Sequence, residues 1–265
     1  MGVPIAGARV LLTGASGGIG AAIARRLAAG GARLVLSGRR DDVLDVLAGE
    51  VGGRAVRADL AERADVERLI ARAGEVDVLV ACAALPGSGR LLTLDQVTID
   101  RAIEVNLRAP IALARALAPG MVARRRGQVV FIGSLSGKAA SSGASIYCAT
   151  KFGLRGFALA LRAELAPSGV GVSIVEPGFV RELGMYADTG ITLPRGIGTR
   201  RPVDVAEAVA RAIERDRGEV TVAPPAMSLG AQVASVAPAF AAWATRLAGG
   251  DRLALQFEEL QADKR

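Results

Sequence analysis

The chain has 265 residues, 51% hydrophobic and 22% charged, which supplies apolar material for one buried core over residues 1–265 and argues against a disordered polypeptide. Its formal charge of +7 is carried by scattered residues, almost all arginine, because Lys138, Lys151 and Lys264 are the only lysines. That distribution describes a solvated surface and not the massed basic tract of a nucleic-acid binder.

The first nine residues lack the charged and apolar regions of a secretory signal, so a cytoplasmic location is expected. Short apolar runs then read as strands buried on both faces at 8–13, 32–37, 76–81, 128–132 and 170–176. A shorter strand is expected at 54–58 and a late one at 219–223. Helical periodicity falls between them at 19–30, 64–73, 95–118 and 145–166. This alternation predicts an α/β fold: a doubly wound parallel β-sheet flanked by helices on both faces, of Rossmann type. The Gly/Pro/Thr-rich stretch 178–202 is long enough for a functional loop, and 224–265 forms a C-terminal extension.

Between Val220 and Thr245 there is no charged residue, a length that invites a membrane reading. Pro224, Pro225 and Pro238 interrupt it, which favours a buried strand followed by an interface-covering helix, with peripheral membrane contact left open. Two cysteines, Cys82 and Cys148, are too few for a disulfide framework and lack metal-ligand spacing, so no metal site is expected.

The chemistry concentrates in two stretches. Directly after the first strand, "T-G-A-S-G-G-I-G" (13–20) opens a helix with glycines that let the backbone approach a pyrophosphate at the helix N-terminus, so a dinucleotide is the expected guest. The chain has no histidine, so proton transfer near neutral pH must use other groups. Tyr147 and Lys151, in "Y-C-A-T-K", stand four apart on a helix and therefore share a face. An ammonium beside a phenol is expected to lower its pKa and ready it for proton exchange.

The spacing of Gly14, Gly18 and Gly20, followed in order by "A-D-L" (58–60), Asn106 in "V-N-L", Ser134 in "I-G-S", "Y-C-A-T-K" and "P-G" (177–178), resembles the classical short-chain dehydrogenase/reductase family over residues 8–225. The resemblance implies hydride transfer between a nicotinamide and a carbonyl or alcohol substrate. Tyr147 would be the general acid/base, Lys151 would tune it and hold the nicotinamide ribose, Ser134 would orient the substrate oxygen, and Asn106 would hold a water that refills the proton path. It further implies that Gly14, Ser16, Gly18, Ile19, Gly20, Asp59, Leu60, Pro177 and Gly178 contact the cofactor along with Tyr147 and Lys151. Asp59 reads equally well as a helix cap when taken alone.

Gly38 in "S-G-R-R" stands where relatives that prefer NAD carry an acid, and Arg39 offers a planar fork for a 2'-phosphate; NADP(H) is expected over NAD(H). The family pattern also implies a homodimer or homotetramer built on the helices at 95–118 and 145–166. Met185, Tyr186 and Leu193 suggest a fairly hydrophobic carbonyl substrate or, alternatively, cover for the core. The chain departs from the family at "A-C-A-A" (81–84), where two asparagines are usual. Their loss puts cofactor geometry in doubt and keeps open a non-catalytic dinucleotide-binding sensor or scaffold. Sugar epimerisation on the same architecture fits the glycine spacing less well.

Overall fold

A computed structural model describes residues 2–182 and 198–247. Its first half runs β1 (Arg9–Thr13), α1 (Gly18–Ala29), β2 (Arg33–Gly38), α2 (Asp41–Val51), β3 (Arg54–Arg57), α3 (Arg63–Ala73) and β4 (Val78–Ala81). The second runs α4 (Gln96–Ile103), α5 (Ala109–Ala123), β5 (Gly127–Ile132), α6 (Ser145–Leu165), β6 (Val170–Pro177), α7 (Pro202–Arg215), β7 (Glu219–Val222), α8 (Pro225–Val236) and α9 (Pro238–Leu247). All seven strands pair in parallel, in the spatial order β3-β2-β1-β4-β5-β6-β7. Strand order reverses direction between β1 and β4, and in such sheets the crevice for a ligand opens at the carboxyl ends of the strands beside that point.

The sheet is buried on both sides because successive side chains alternate faces. Val10, Leu12, Val78, Val80, Val130, Ile132 and Val175 pack on one side against α1, α2 and α7. Leu11, Leu79, Val129, Phe131, Val172 and Ile174 pack on the other against α3, α5 and α6. Both halves of each alternation are apolar, which is why the strands read as continuous hydrophobic runs.

The structure differs from the sequence reading in four places. Two helices, α2 and α7, have no counterpart among the expected ones. The buried stripe of α2 is short, Leu44, Leu47 and Ala48, whereas α7 is strongly amphipathic, with Val205, Val209 and Ile213 buried and Arg211, Glu214 and Arg215 exposed, a helical period that lay open in the chain. The late strand, β7, is the sheet edge and is half-exposed over Val220 and Thr221, not buried. It is followed by two helices instead of one: Pro225 and Pro238 each open a helix, at a position where the missing N–H is harmless. The long helix expected at 95–118 is broken by a π turn, Glu104–Arg108, that contains Asn106. No helix among the described residues is long and apolar enough to cross a membrane.

Candidate active site

The carboxyl end of β5 delivers Ser134. Its backbone is extended and its Oγ accepts a hydrogen bond from Ser136 N at 3.1 Å, capping the single 3-10 turn Leu135–Gly137. That turn lies directly on α6: a Cβ at Gly137 would sit 2.8 Å from the carbonyl oxygen of Lys151. Close approach without a side chain brings Ser134 beside Tyr147, and a hydrogen bond joins the two side chains.

Tyr147 and Lys151 share the inward face of α6, with the Lys151 Nζ 5.6 Å from the centre of the Tyr147 ring. Lys151 is only 2% exposed and donates from Nζ to the carbonyl oxygen of Ile132, the last residue of β5, at 2.9 Å. Burial pushes the Lys151 ammonium down to about 8. Burial also pushes the Tyr147 phenol up to about 12; the bond to Ser134 opposes this, and the neighbouring Cys148 adds to the rise. The lowered phenol expected from the Tyr/Lys spacing is therefore not what the protein alone displays. Removing water from a phenolate destabilises it by more than the surroundings restore.

Asn106 is 1% exposed, and its side chain is committed to protein groups. Its Oδ1 accepts from Leu85 N at 2.7 Å, and its Nδ2 donates to Leu85 O at 2.9 Å and toward Thr150 Oγ1 at 3.4 Å. Thr150 in turn donates to the Tyr147 carbonyl at 2.8 Å, so the π turn is tied both to the segment after β4 and to α6.

The glycine loop meets this cluster from β1. Gly14 has a φ of +68°, and a Cβ there would lie 2.7 Å from the backbone of Ala83. A Cβ on Gly20 would be 2.1 Å from the Gly14 carbonyl oxygen. No side chain caps the N-terminus of α1, where Gly17 is the capping residue, so the first-turn amides of Gly18, Ile19 and Gly20 have no acceptor within the helix. An uncapped helix start lined by hydrogen instead of side chains suits the pyrophosphate of a dinucleotide. The residues present fit that group.

Around this loop the other expected cofactor contacts vary in what they offer. Ser16 approaches Gly38 so closely that a Cβ on the glycine would meet Ser16 Oγ at 2.6 Å, and the Ser16 carbonyl accepts from Arg40. Arg39 is exposed and has no hydrogen bond or ion pair among the described residues. Asp59 is already engaged: its Oδ1 accepts from Ala61 N at 3.1 Å, its Oδ2 pairs with Arg101, and its own N–H donates to Asp65 Oδ2 at 2.9 Å. Leu60 beside it is buried. Pro177 ends β6, and Gly178 donates to the Val222 carbonyl at 3.0 Å while facing Leu135 of the Ser134 turn. Past it, Val180 bridges to Arg200, which joins the two described ends of the long loop; Met185, Tyr186 and Leu193 lie outside the described residues.

A family model described as short chain dehydrogenase matches residues 8–190. The chain belongs to the short-chain dehydrogenase/reductase family. It is thus an oxidoreductase of that family, whose members bind nicotinamide dinucleotides. It is similar to a ketoacyl reductase, HetN, from Nostoc sp., 36% identical over 82% of this chain and 79% of that protein. Among solved structures it resembles a short-chain dehydrogenase from Sphingobium yanoikuyae in complex with NADPH, with 33% identity and a TM-score of 0.74 over 80% of this chain and 86% of that one. It also resembles a 3-ketoacyl-(acyl-carrier-protein) reductase from Brucella melitensis complexed with NADH, with 26% identity and a TM-score of 0.74 over 82% and 97% of the two chains.

At 81–84, where the short-chain dehydrogenase/reductase pattern usually carries two asparagines, the chain is held through its backbone. Thr13 Oγ1 accepts from Cys82 N at 3.1 Å and Ala83 N at 3.3 Å, tying β1 to the end of β4, and Asn106 secures Leu85 one step on. Thr13 is fully buried at the end of a strand, and its hydroxyl was the available signal that sequence reading passed over.

Proposed function

We propose that the chain is an NADP(H)-dependent oxidoreductase that interconverts a carbonyl and an alcohol, with Tyr147 as the general acid/base. The observation that carries this is the meeting of Ser134, Tyr147 and Lys151 at the carboxyl ends of the central strands, next to an uncapped, glycine-rich helix start. A bound nicotinamide supplies or accepts hydride at the substrate carbon. Everything else falls to the chain. Ser134 and the Tyr147 hydroxyl converge on the substrate oxygen, and near neutrality the phenol is in its protonated form, the one that can give a proton in the direction of reduction. Lys151, with a pKa near 8, remains mostly cationic at neutral pH and is placed to stabilise the phenolate left behind and to contact ribose hydroxyls. Asn106 keeps the helix broken beside Tyr147 and holds the Leu85 segment in place.

The preference for NADP(H) is supported by the unpartnered Arg39 and by Gly38, which places no carboxylate where a 2'-phosphate would lie. The names of the relatives make a 3-ketoacyl thioester the first carbonyl to offer, in keeping with a fairly hydrophobic substrate. A homo-oligomer is supported by Val97 and Ile103 on α4 and Phe152 and Leu159 on α6, all exposed apolar side chains on the helices expected at the contact.

The test follows NADPH oxidation against a panel of ketones, aldehydes and 3-ketoacyl thioesters, beside binding titrations of NADPH and NADH. The expected result is turnover of at least one carbonyl and tighter binding of NADPH. Binding without turnover of any of them would favour a sensor or scaffold.

A further inference from the structure

Behind the site lies a buried ionic knot that the mechanism above does not use. Glu176, fully buried at the end of β6, is met by the ammonium of Lys138, itself 5% exposed, and lies 3.6 Å from the Nε of Arg155. A second carboxylate, Glu219 on the edge strand β7, joins the same two cations at 3.3 Å from Lys138 and 2.6 Å from Arg155. Thr221 Oγ1 accepts from Lys138 Nζ at 3.0 Å and completes the set of polar groups around it. Neither oxygen of Glu176 receives a well-aligned hydrogen bond, so only cations compensate its charge.

The positions of these groups along the chain are what matter. Glu176 directly precedes Pro177 and Gly178. Lys138 follows Ser134 by four residues, and its N–H closes the Ser134 turn on the Leu135 carbonyl at 2.9 Å. Arg155 is one helical turn beyond Lys151, which is one turn beyond Tyr147. The Glu176 stem also runs beneath Gly133, the residue before Ser134, where a Cβ would meet its Cγ at 3.2 Å. Three segments that carry the site, from β5, α6 and β6, therefore converge on one carboxylate.

We propose that Glu176 is a positioning residue: its carboxylate, held by Lys138 and Arg155, sets the Ser134 turn, the Tyr147/Lys151 helix and the Pro177–Gly178 segment in register for the reaction. The proposal rests on the carbonyl-reductase reading. A buried ion pair is weak evidence for stability as such, because desolvation offsets most of its attraction, whereas its geometric demand on both partners is strict. Burial pushes the Glu176 carboxyl up to about 7, opposed by Lys138 and Arg155, with Glu219 adding to the rise. The carboxylate therefore takes up a proton as pH falls through neutrality, and the knot then loses its central charge.

The experiment measures kcat and KM for a ketone that the wild type reduces, together with NADPH affinity, from pH 5.5 to 9 in the full chain. E176Q is expected to lower kcat at pH 8 by about 10- to 100-fold, since misplacement of reacting groups by up to about an ångström has that scale. NADPH affinity should stay within about twofold, as for a change confined to the transition state. The fall in wild-type kcat below pH 7 should vanish in E176Q. K138Q leaves Glu176 in place without its nearest cation and should move that fall upward by about one pH unit, which keeps the proposal testable even where E176Q does not fold. A wild-type kcat and pH profile in E176Q, or an unmoved profile in K138Q, would overturn the proposal. So would an equal loss of kcat, nucleotide affinity and melting temperature in E176Q, the mark of a structural role alone. A wild type that binds NADPH and reduces nothing overturns the functional reading itself, and the positioning role in that reaction with it, before any variant is compared.

Discussion

The two sides of the cleft are made of different material. On the nucleotide side, β1 and α1 form a surface of backbone and hydrogen, in which Gly14 and Gly20 lie so close to neighbouring main chain that a single carbon would collide. On the proposed catalytic side, β5, α6 and β6 carry buried polar side chains whose protons and charges are shifted by loss of water: Tyr147 up, Lys151 down, Glu176 up. The first side works by shape and tolerates no added atoms. The second works by charge and is sensitive to changes that leave shape intact.

The sharpest break in that comparison is an isosteric change on the charged side. Tyr147→Phe removes one oxygen and should lower kcat by roughly 10² to 10⁴-fold while NADPH titration is little altered; retention of the original rate would end the general-acid assignment. On the shape side, Gly14→Ala forces a Cβ onto the Ala83 backbone at a φ of +68°. It should weaken nucleotide binding by about tenfold or more and lower the melting temperature, because a left-handed residue in a closed space has no relaxed alternative.

Smaller effects separate the two sides further. Arg39→Ala should cost about 1.5–3 kcal/mol of NADPH affinity and leave NADH unchanged, as removal of a charge-assisted bond to phosphate alone would; equal losses for both nucleotides would sink the phosphate role. Thr13→Val keeps shape but deprives the Cys82 and Ala83 amides of their shared acceptor. About 1–3 kcal/mol of stability should disappear in urea unfolding. A further effect concerns pH. Because the Glu176 pKa is raised on folding from 4.5 to about 7, its contribution is fully present below pH 4.5 and is lost as pH rises through 7. The melting temperature of the wild type, compared with that of E176Q, should decline over that interval, and parallel curves would mean that the carboxyl does not titrate there.

Much of the nucleotide side could be read from the chain because its determinants are local. A strand, a glycine-rich turn and a helix start are contiguous, and Gly14, Gly18 and Gly20 act within one loop. On the catalytic side only the Tyr147/Lys151 pair is local in this sense, set by the helical period. The direction of the tyrosine shift was misjudged from that spacing because proximity to a cation is visible in sequence, whereas depth of burial is not. Asp59 shows the same limit: the order of motifs singled it out, yet its carboxylate is bound to Ala61 and Arg101, a residue 42 positions away.

The amino-acid order by itself determined the layered α/β plan, the helix start prepared for pyrophosphate and the shared face of Tyr147 and Lys151, since each follows from periods of two or 3.6 residues or from glycine within a few positions. Tertiary structure alone decided that β7 is an edge, that Thr13 holds the Cys82 and Ala83 amides across 69 and 70 residues, and that Glu176 gathers Lys138 and Arg155. Those contacts depend on which strands become neighbours. Strand order is settled by the packing of whole elements, which no short stretch of chain encodes.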